Sequence, residues 1–259
     1  MENKVIKTML KPLWRTWYSY ISSLDKNSEI NFLNFGYAND DRPELDEEDE
    51  INRYPIQLYD HVGKGIKLEG QDVLEVGCGR GGGASYIARY MKPKSIVGID
   101  RCKRAIDFCN KGYDTAGLSF SQGDAMKLGF DDMSFDAVLN IESSHSYEGM
   151  DRFLSEVHRI LKPGGHLLLA DFRDRTDVPR LEKVLRDSQF KLVKKEQITP
   201  QVVKALELDS GRRLDLIRRL VPTILYGPLR VFAGTEGSTT YNSFKTGKKE
   251  YWNFILRKV

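Results

Sequence analysis

Val73-Leu-Glu-Val-Gly-Cys-Gly-Arg-Gly-Gly-Gly83 decides how this chain is read. Four residues of strand character run into five glycines within seven positions. Val73, Leu74 and Val76 suit a strand buried on both faces. The glycines suit a turn in which backbone passes close to a ligand, since no Cβ stands in the way. Ala84-Ser-Tyr-Ile-Ala-Arg-Tyr-Met91 then places Ile87, Ala88 and Met91 on one helical face. Strand, glycine turn and helix make the nucleotide-cradling unit of an open α/β sheet; a turn with no ligand is the plain alternative. Gly77-x-Gly79-x-x-Gly82 satisfies the dinucleotide spacing, which is a weak signal alone. Glu75 is sharper. It is a carboxylate inside an apolar strand, and buried acids are rare unless paired or hydrogen-bonded. A ligand with a cationic amino-acid end would give it a partner.

The whole chain sets the frame. At 259 residues, 40% hydrophobic and 30% charged, it has the composition of one globular domain with elaborations. A net charge of +3 makes no case for nucleic acid as a partner. No apolar run reaches the roughly 18 residues of a spanning helix, and the first residues do not resemble a secretory signal. Cys78, Cys102 and Cys109 are odd in number and lack metal-ligand spacing, which fits reduced thiols in a cytoplasmic protein.

Leu13, Trp14, Trp17, Tyr18 and Ile21 recur at helical spacing, so residues 1–30 read as one or two amphipathic helices packed on the main body. Asn31–Tyr37 is an aromatic-rich loop around Gly36, either a cover over a ligand or an anchor. Residues 40–50 are mostly acidic and mark the end of an N-terminal cap, 1–50. Ile51–Lys67 reads as a helix and turn. Ser95–Asp100 is a second strand; Asp100 is placed to accept from ribose hydroxyls or to N-cap a helix over Arg101–Asn110. Leu118–Ala125 is a third strand ending near Gly123-Asp124, where an acid meets an adenine amino group or simply makes a turn. Phe135–Ile141 is a fourth strand and runs into Glu142-Ser-Ser-His-Ser-Tyr147. A helix follows over Asp151–Leu161, with Asp151 as N-cap and Lys162-Pro-Gly-Gly165 as its stop. His166–Phe172 is the fifth strand, Val178–Phe190 a helix and Lys191–Thr199 the sixth strand. Residues 200–248 read as an insertion, a substrate lid with helices at Pro200–Leu208 and Arg212–Leu220, and Tyr251–Leu256 closes the sheet. The core is thus 51–199 with 249–259. Ligands of such sheets sit outside the carboxyl ends of the strands, where the polar cluster at 142–147 falls.

Several segments resemble class I S-adenosylmethionine-dependent methyltransferases: Glu-Val-Gly-Cys-Gly-Arg-Gly at 75–81, Gly-Ile-Asp at 98–100, Gly-Asp-Ala at 123–125 and Leu-Lys-Pro-Gly-Gly at 161–165. The resemblance covers about residues 30–172. It implies a Rossmann-like α/β sheet of seven strands, mostly parallel with the last antiparallel, and helices on both faces. An N-terminal helical cap and a helical insertion before the last strand complete this fold. The implied cofactor is S-adenosyl-L-methionine, leaving as S-adenosyl-L-homocysteine. The positions it assigns to cofactor binding are Tyr37, Glu75, Gly77, Gly79, Gly81, Asp100, Asp124, Ala125 and Asn140. Asn140–Tyr147, Ala170–Arg173 and Phe232–Gly237 look like small-molecule O-methyltransferases of the phthiotriolone/phenolphthiotriolone dimethylphycocerosate type, with sugar O-methyltransferases close behind.

Such chemistry needs an oxygen aligned with the methyl and, for an alcohol, a base. His145 is the best-placed base and Asp171 the group that would orient it, as at matching positions in related sugar O-methyltransferases; a histidine that only shapes the pocket is the alternative. Glu142 is either a partner of that pair or a cofactor contact. His61, His158 and His166 read as structural, and no metal is expected. The expected acceptor is a small hydrophobic molecule methylated on a hydroxyl. A fatty-acid carboxylate or a sugar is the alternative. A nicotinamide or flavin oxidoreductase and a non-methylating cyclase are the competing classes. Arg218, Arg219 and Arg230 flank an apolar segment, which fits either a membrane surface or packing on its own domain.

Overall fold

The computed structural model of the chain describes residues 29–259. The amphipathic helices expected before residue 29 lie outside them. The first strand, β1 (Asp72–Val76), forms where the apolar run of the glycine segment begins. Val73 and Leu74 are fully buried because β1 pairs in parallel with β2 (Ser95–Asp100) on one side and β4 (Phe135–Ile141) on the other. β3 (Leu118–Gln122) extends the sheet beyond β2, and β5 (Leu161–Asp174) lies beside β4, all parallel. β6 (Phe190–Gln197) and β7 (Lys249–Lys258) complete the order β3-β2-β1-β4-β5-β7-β6. β7 enters between β5 and β6 and runs antiparallel to both, as the family resemblance implied.

Helices cover both faces. On one side α1 (Arg53–Gly63) and α2 (Gly82–Tyr86) bury Ile56, Leu58 and Val62 with Val73 and Ile96. α3 (Lys103–Gly112) adds Ile106 and Cys109 to this cluster. On the other, α4 (Met150–Ile160) and α5 (Val178–Arg186) bury Phe153, Val157, Leu181 and Leu185 with Leu74, Val138 and Leu167. Between β6 and β7 come α6 (Thr199–Leu220), α7 (Tyr226–Phe232) and α8 (Thr239–Lys245). They connect two neighbouring strands, and an insertion of this kind adds little loop-closure entropy.

Several local expectations shift. The helix after the glycines begins at Gly82 rather than Ala84 and passes into a π turn over Ile87–Met91. The helix and turn expected over 51–67 are α1, ending at Gly63, and the turn after it, with a 3-10 turn, Glu47–Asn52, added in front. Asp151 is not the N-cap of α4: the Gly149 carbonyl accepts the Phe153 amide at 3.1 Å, so the cap falls there and Asp151 sits in the first turn. Lys162-Pro-Gly-Gly165 belongs to β5, and Lys162 ties Asp72 and Asp136 together at 3.1 and 2.8 Å. The two helices expected within 200–220 are one. Gly211 meets nothing within 4 Å, and Asp209 pairs across it with Arg212 and Arg213 at 2.6 and 2.8 Å. A helical glycine costs about 1 kcal/mol, which those pairs and the packing of Ile217 offset.

Candidate active site

The site grows from the carboxyl ends of β1, β2, β4 and β5. The amides of Gly77 and Cys78 both donate to the Ile99 carbonyl, at 2.8 and 3.0 Å, and fold the chain back over the end of β2. Gly77, Gly79 and Gly81 all have positive φ, at 82°, 56° and 80°. A methyl group on Gly77 would stand 2.1 Å from the Ser143 hydroxyl, and one on Gly83 1.9 Å from the Tyr59 ring. The bare backbone therefore admits the loop after β4 on one side and α1 on the other.

Glu75 is 1% exposed. Tyr59 donates to its Oε1 at 2.6 Å, while Oε2 has no hydrogen-bond partner. Burial pushes the carboxyl up to about 7, against the hydrogen bond from Tyr59 and the nearby Ala84 amide, and with the charge of Asp100 adding to the rise. Asp100, at the end of β2, accepts from the Gly79 amide at 3.1 Å and the Cys102 amide at 2.7 Å. It is not a helix N-cap; that position falls on Cys102. Asp124 is exposed and accepts the Met126 amide at 2.9 Å in a turn beyond β3, with Ala125 packed beside it on the apolar layer.

Asn140 is fully buried and joins the halves of the site. Its amide donates to the Val76 carbonyl and to the Tyr147 hydroxyl, both at 2.8 Å; its Oδ1 has no partner. Tyr147 and Ser143 hydrogen-bond at 2.8 Å, which holds Ser143 over Gly77. Tyr37 is placed elsewhere. Its ring stacks on His61, with centroids 4.3 Å apart, at a separate polar cavity shared with Gln57 and Lys64. The part of its loop that reaches the glycine turn is Asn31, whose carbonyl accepts the Gly82 amide at 3.3 Å, and Phe32, which meets Tyr59 edge-on.

His145 and Asp171 meet. His145 Nδ1 lies 2.9 Å from Asp171 Oδ1, and the His145 amide donates to Oδ2 at 2.8 Å. Ser144 donates to the same oxygen at 2.7 Å, and the Phe172 amide to Oδ1 at 2.8 Å. Burial works to raise the Asp171 carboxyl, but the charges of His145 and Arg173 and the bonds from His145 and Ser144 outweigh it and hold it well below the usual range. The His145 ring stacks on Phe172 at 4.4 Å, and its side chain is 34% exposed. With Nδ1 engaged by Asp171, Nε2 is the ring nitrogen left for another partner.

Glu142 has φ +48°, and its Oε1 accepts the Phe35 amide at 2.7 Å. Burial pushes it up to about 8; the Phe35 amide opposes this and the Asp171 charge adds to it. The buried Arg213 donates to the Phe35 carbonyl at 3.2 Å, so the strap over 31–37 is gripped from β4 and from α6. Behind the strap opens an apolar cleft, lined by Phe32, Leu33, Leu216, Ile217, Val221 and Leu229 among others. Tyr59, Ser143, Phe172 and Phe35 were not singled out in the sequence. Tyr59 lies on a helix whose pattern reads as packing, while Phe35, Ser143 and Phe172 lie in stretches picked out only as wholes; the crossing of chain segments brings each to the site.

A parallel sheet with a glycine turn after β1 and acids closing β1 and β2 defines a Rossmann-like cofactor-binding protein. A methyltransferase domain model matches residues 74–169. A fatty-acid O-methyltransferase of Mycolicibacterium smegmatis is 43% identical over 221 residues, 82% of this chain and 81% of its own length. A phthiotriol/phenolphthiotriol dimycocerosates methyltransferase of Mycobacterium leprae is 38% identical over 253 residues, 97% of this chain and 94% of its own. A geranyl diphosphate C-methyltransferase of Streptomyces coelicolor, crystallised with S-adenosyl-L-homocysteine, shares the fold at a TM-score of 0.65 and 18% identity, covering 93% and 98% of the two chains. The chain belongs to the methyltransferase family. The dinucleotide-like spacing of Gly77, Gly79 and Gly82 therefore marks no nicotinamide or flavin oxidoreductase.

Proposed function

We propose that the chain transfers a methyl group from S-adenosyl-L-methionine to a hydroxyl oxygen of a lipid-like acceptor, with His145 as base. The observation that carries the base assignment is the His145–Asp171 pair, 2.9 Å apart at the carboxyl end of the sheet. The residues fit the cofactor. Glu75 offers a buried acceptor oxygen without a partner, and Gly77, Gly79 and Gly81 offer bare backbone beside it. When bound, the cofactor supplies a methyl group made electrophilic by its sulfonium. Glu75 would hold the amino-acid end, Asp100 the ribose, and Asp124 with Ala125 the adenine. Asn140 and the strap that carries Tyr37 act by holding the loop and cover in place.

The acceptor's chain lies in the apolar cleft, whose wall is the strap. His145 Nε2 would take the hydroxyl proton; the methyl would pass to that oxygen as its bond to sulfur breaks, leaving S-adenosyl-L-homocysteine. Asp171 keeps the imidazole oriented and stabilises the imidazolium that forms. Phe172 fixes the ring plane from below.

A fatty-acid carboxylate is the second reading, favoured by the name of the 43% identical relative. A carboxylate has no proton to give up, so His145 would act only as a charge partner. Labelled S-adenosyl-L-methionine offered with long-chain alcohols, lipid phenols, fatty acids and sugars separates the readings. Label on apolar hydroxyls, lost about 100-fold or more in His145→Gln, is the expected result. Label on fatty acids with less than about ten-fold loss in that variant moves the assignment to the carboxylate. Transfer to sugars alone overturns both.

A further inference from the structure

We propose that the tip of the lid, Pro222–Tyr226, docks on an anionic phospholipid surface and opens the apolar cleft toward it. This rests on the lipid-like acceptor for its purpose, but not for its test.

The tip is built to protrude. The Leu225 amide bonds to the Pro222 carbonyl at 2.9 Å and closes a 3-10 turn over Thr223–Leu225. Pro222 precedes the turn and Gly227-Pro228 follows it, so neither α6 nor α7 runs through it. Ile224 stands there 86% exposed, more than any other large hydrophobic side chain among the described residues. Its neighbours behave oppositely. Leu220 and Val221 before the tip, and Leu229 and Phe232 after it, line the cleft. One short segment therefore joins a fully exposed apolar side chain to the mouth of an apolar cleft.

Charge selects the partner. Residues 216–235 hold Arg218, Arg219 and Arg230 and no acidic residue. Arg218 and Arg219 pair with Asp215 and Glu29, but their side chains remain 65% and 56% exposed. Exposed pairs of this kind contribute little and exchange readily for a phosphate. Arg230 is exposed and has no acidic partner among the described residues. Tyr226 bonds to the Arg218 carbonyl at 3.2 Å, and an aromatic ring with a polar end suits the headgroup zone. An apolar point ringed by cations matches an anionic bilayer, which offers phosphates around an apolar layer. An acidic protein would satisfy the arginines but gives a lone protruding isoleucine no layer to enter.

Sedimentation of the full chain with vesicles tests this, using phosphatidylcholine alone and phosphatidylcholine with one third phosphatidylglycerol. The chain is expected to sediment with the anionic vesicles, less so at high salt, and weakly with the neutral ones. An arginine near such a surface is worth about five-fold in affinity, so Arg218→Glu with Arg230→Glu should weaken binding by about ten-fold or more. Ile224→Asp should weaken it by a similar factor, with an unchanged thermal melt. No sedimentation of the unaltered chain, equal binding to both vesicles, or undiminished binding by Ile224→Asp overturns the proposal. Methyl transfer to a dispersed short-chain acceptor should be the same in Ile224→Asp. Vesicle binding that fails while this transfer persists condemns the docking surface alone; transfer absent from every apolar acceptor condemns the acceptor reading.

Discussion

Glu75 and Asp171 are two acids in nearly the same position, pushed in opposite directions. Both lie at the carboxyl end of the parallel part of one sheet, and they are 1% and 2% exposed. Glu75 holds one phenol, has an oxygen without a partner, and is raised to about 7. Asp171 accepts from Ser144, Phe172 and His145, has Arg173 at 3.2 Å, and is held well down. Burial penalises both charges alike, so the difference lies in the partners. Asp171 is complete within the protein, as a support for a base must be. Glu75 is incomplete, as a socket for a cationic ligand must be until that ligand arrives.

The largest effect should come from Asp171→Asn. Turnover of a hydroxyl acceptor should fall by about 1,000-fold or more, with cofactor affinity within about threefold of the unaltered chain. Unfolding in denaturant should show a loss of about 3 kcal/mol, because His145 and Arg173 lose a buried counter-charge. Undiminished turnover would break the comparison at its stronger end.

Glu75→Gln should do the reverse to stability. Cofactor affinity, measured calorimetrically, should fall by about 100-fold, the loss of one buried charge-assisted contact. The unliganded variant should nevertheless be more stable at pH 8, by about 2 kcal/mol. A carboxyl raised on folding stabilises the chain while it is protonated and loses that contribution as pH climbs from about 4.5 through about 7. A variant destabilised at pH 8, as Asp171→Asn should be, would show that Glu75 is satisfied without a ligand.

The smallest effect sharpens the same point through pH alone. The melting temperature of the unliganded chain should decline by a few degrees between pH 6 and 9 as Glu75 and then Glu142, raised to about 8, ionise. Glu142→Gln should flatten the upper part of that decline. Asp171 acts only at the other extreme: its contribution is present above the ordinary carboxylate range and is lost in strong acid. A flat profile from pH 6 to 9 would mean that neither raised acid contributes.

The two acids were not equally legible. Glu75 stands out in the sequence because an acid within Val-Leu-Glu-Val, just before glycines, breaks a local rule. Asp171 sits in an apolar-to-polar strand end and carries no such signal; its pairing with His145 was readable through the order of strands and through the resemblance to sugar O-methyltransferases. Tyr37 illustrates the limit. Its loop reaches the glycine turn, yet the ring turns away to His61, a choice made by packing against α1. The break expected near Gly211 failed for a similar reason, since Asp209, Arg212 and Arg213 hold one helix through it.

The sequence by itself determined the strand–glycine–helix unit and the succession of seven strands, because these rest on short-range preferences for burial, pleat and positive φ. Only the tertiary structure decided where β7 enters the sheet, which loop closes over Gly77, and which way each buried carboxyl titrates. Those outcomes depend on groups distant in sequence: Tyr59 reaches Glu75 from 16 residues away, and His145 reaches Asp171 from 26. The field at a buried charge is the sum of such neighbours, and no local pattern carries it.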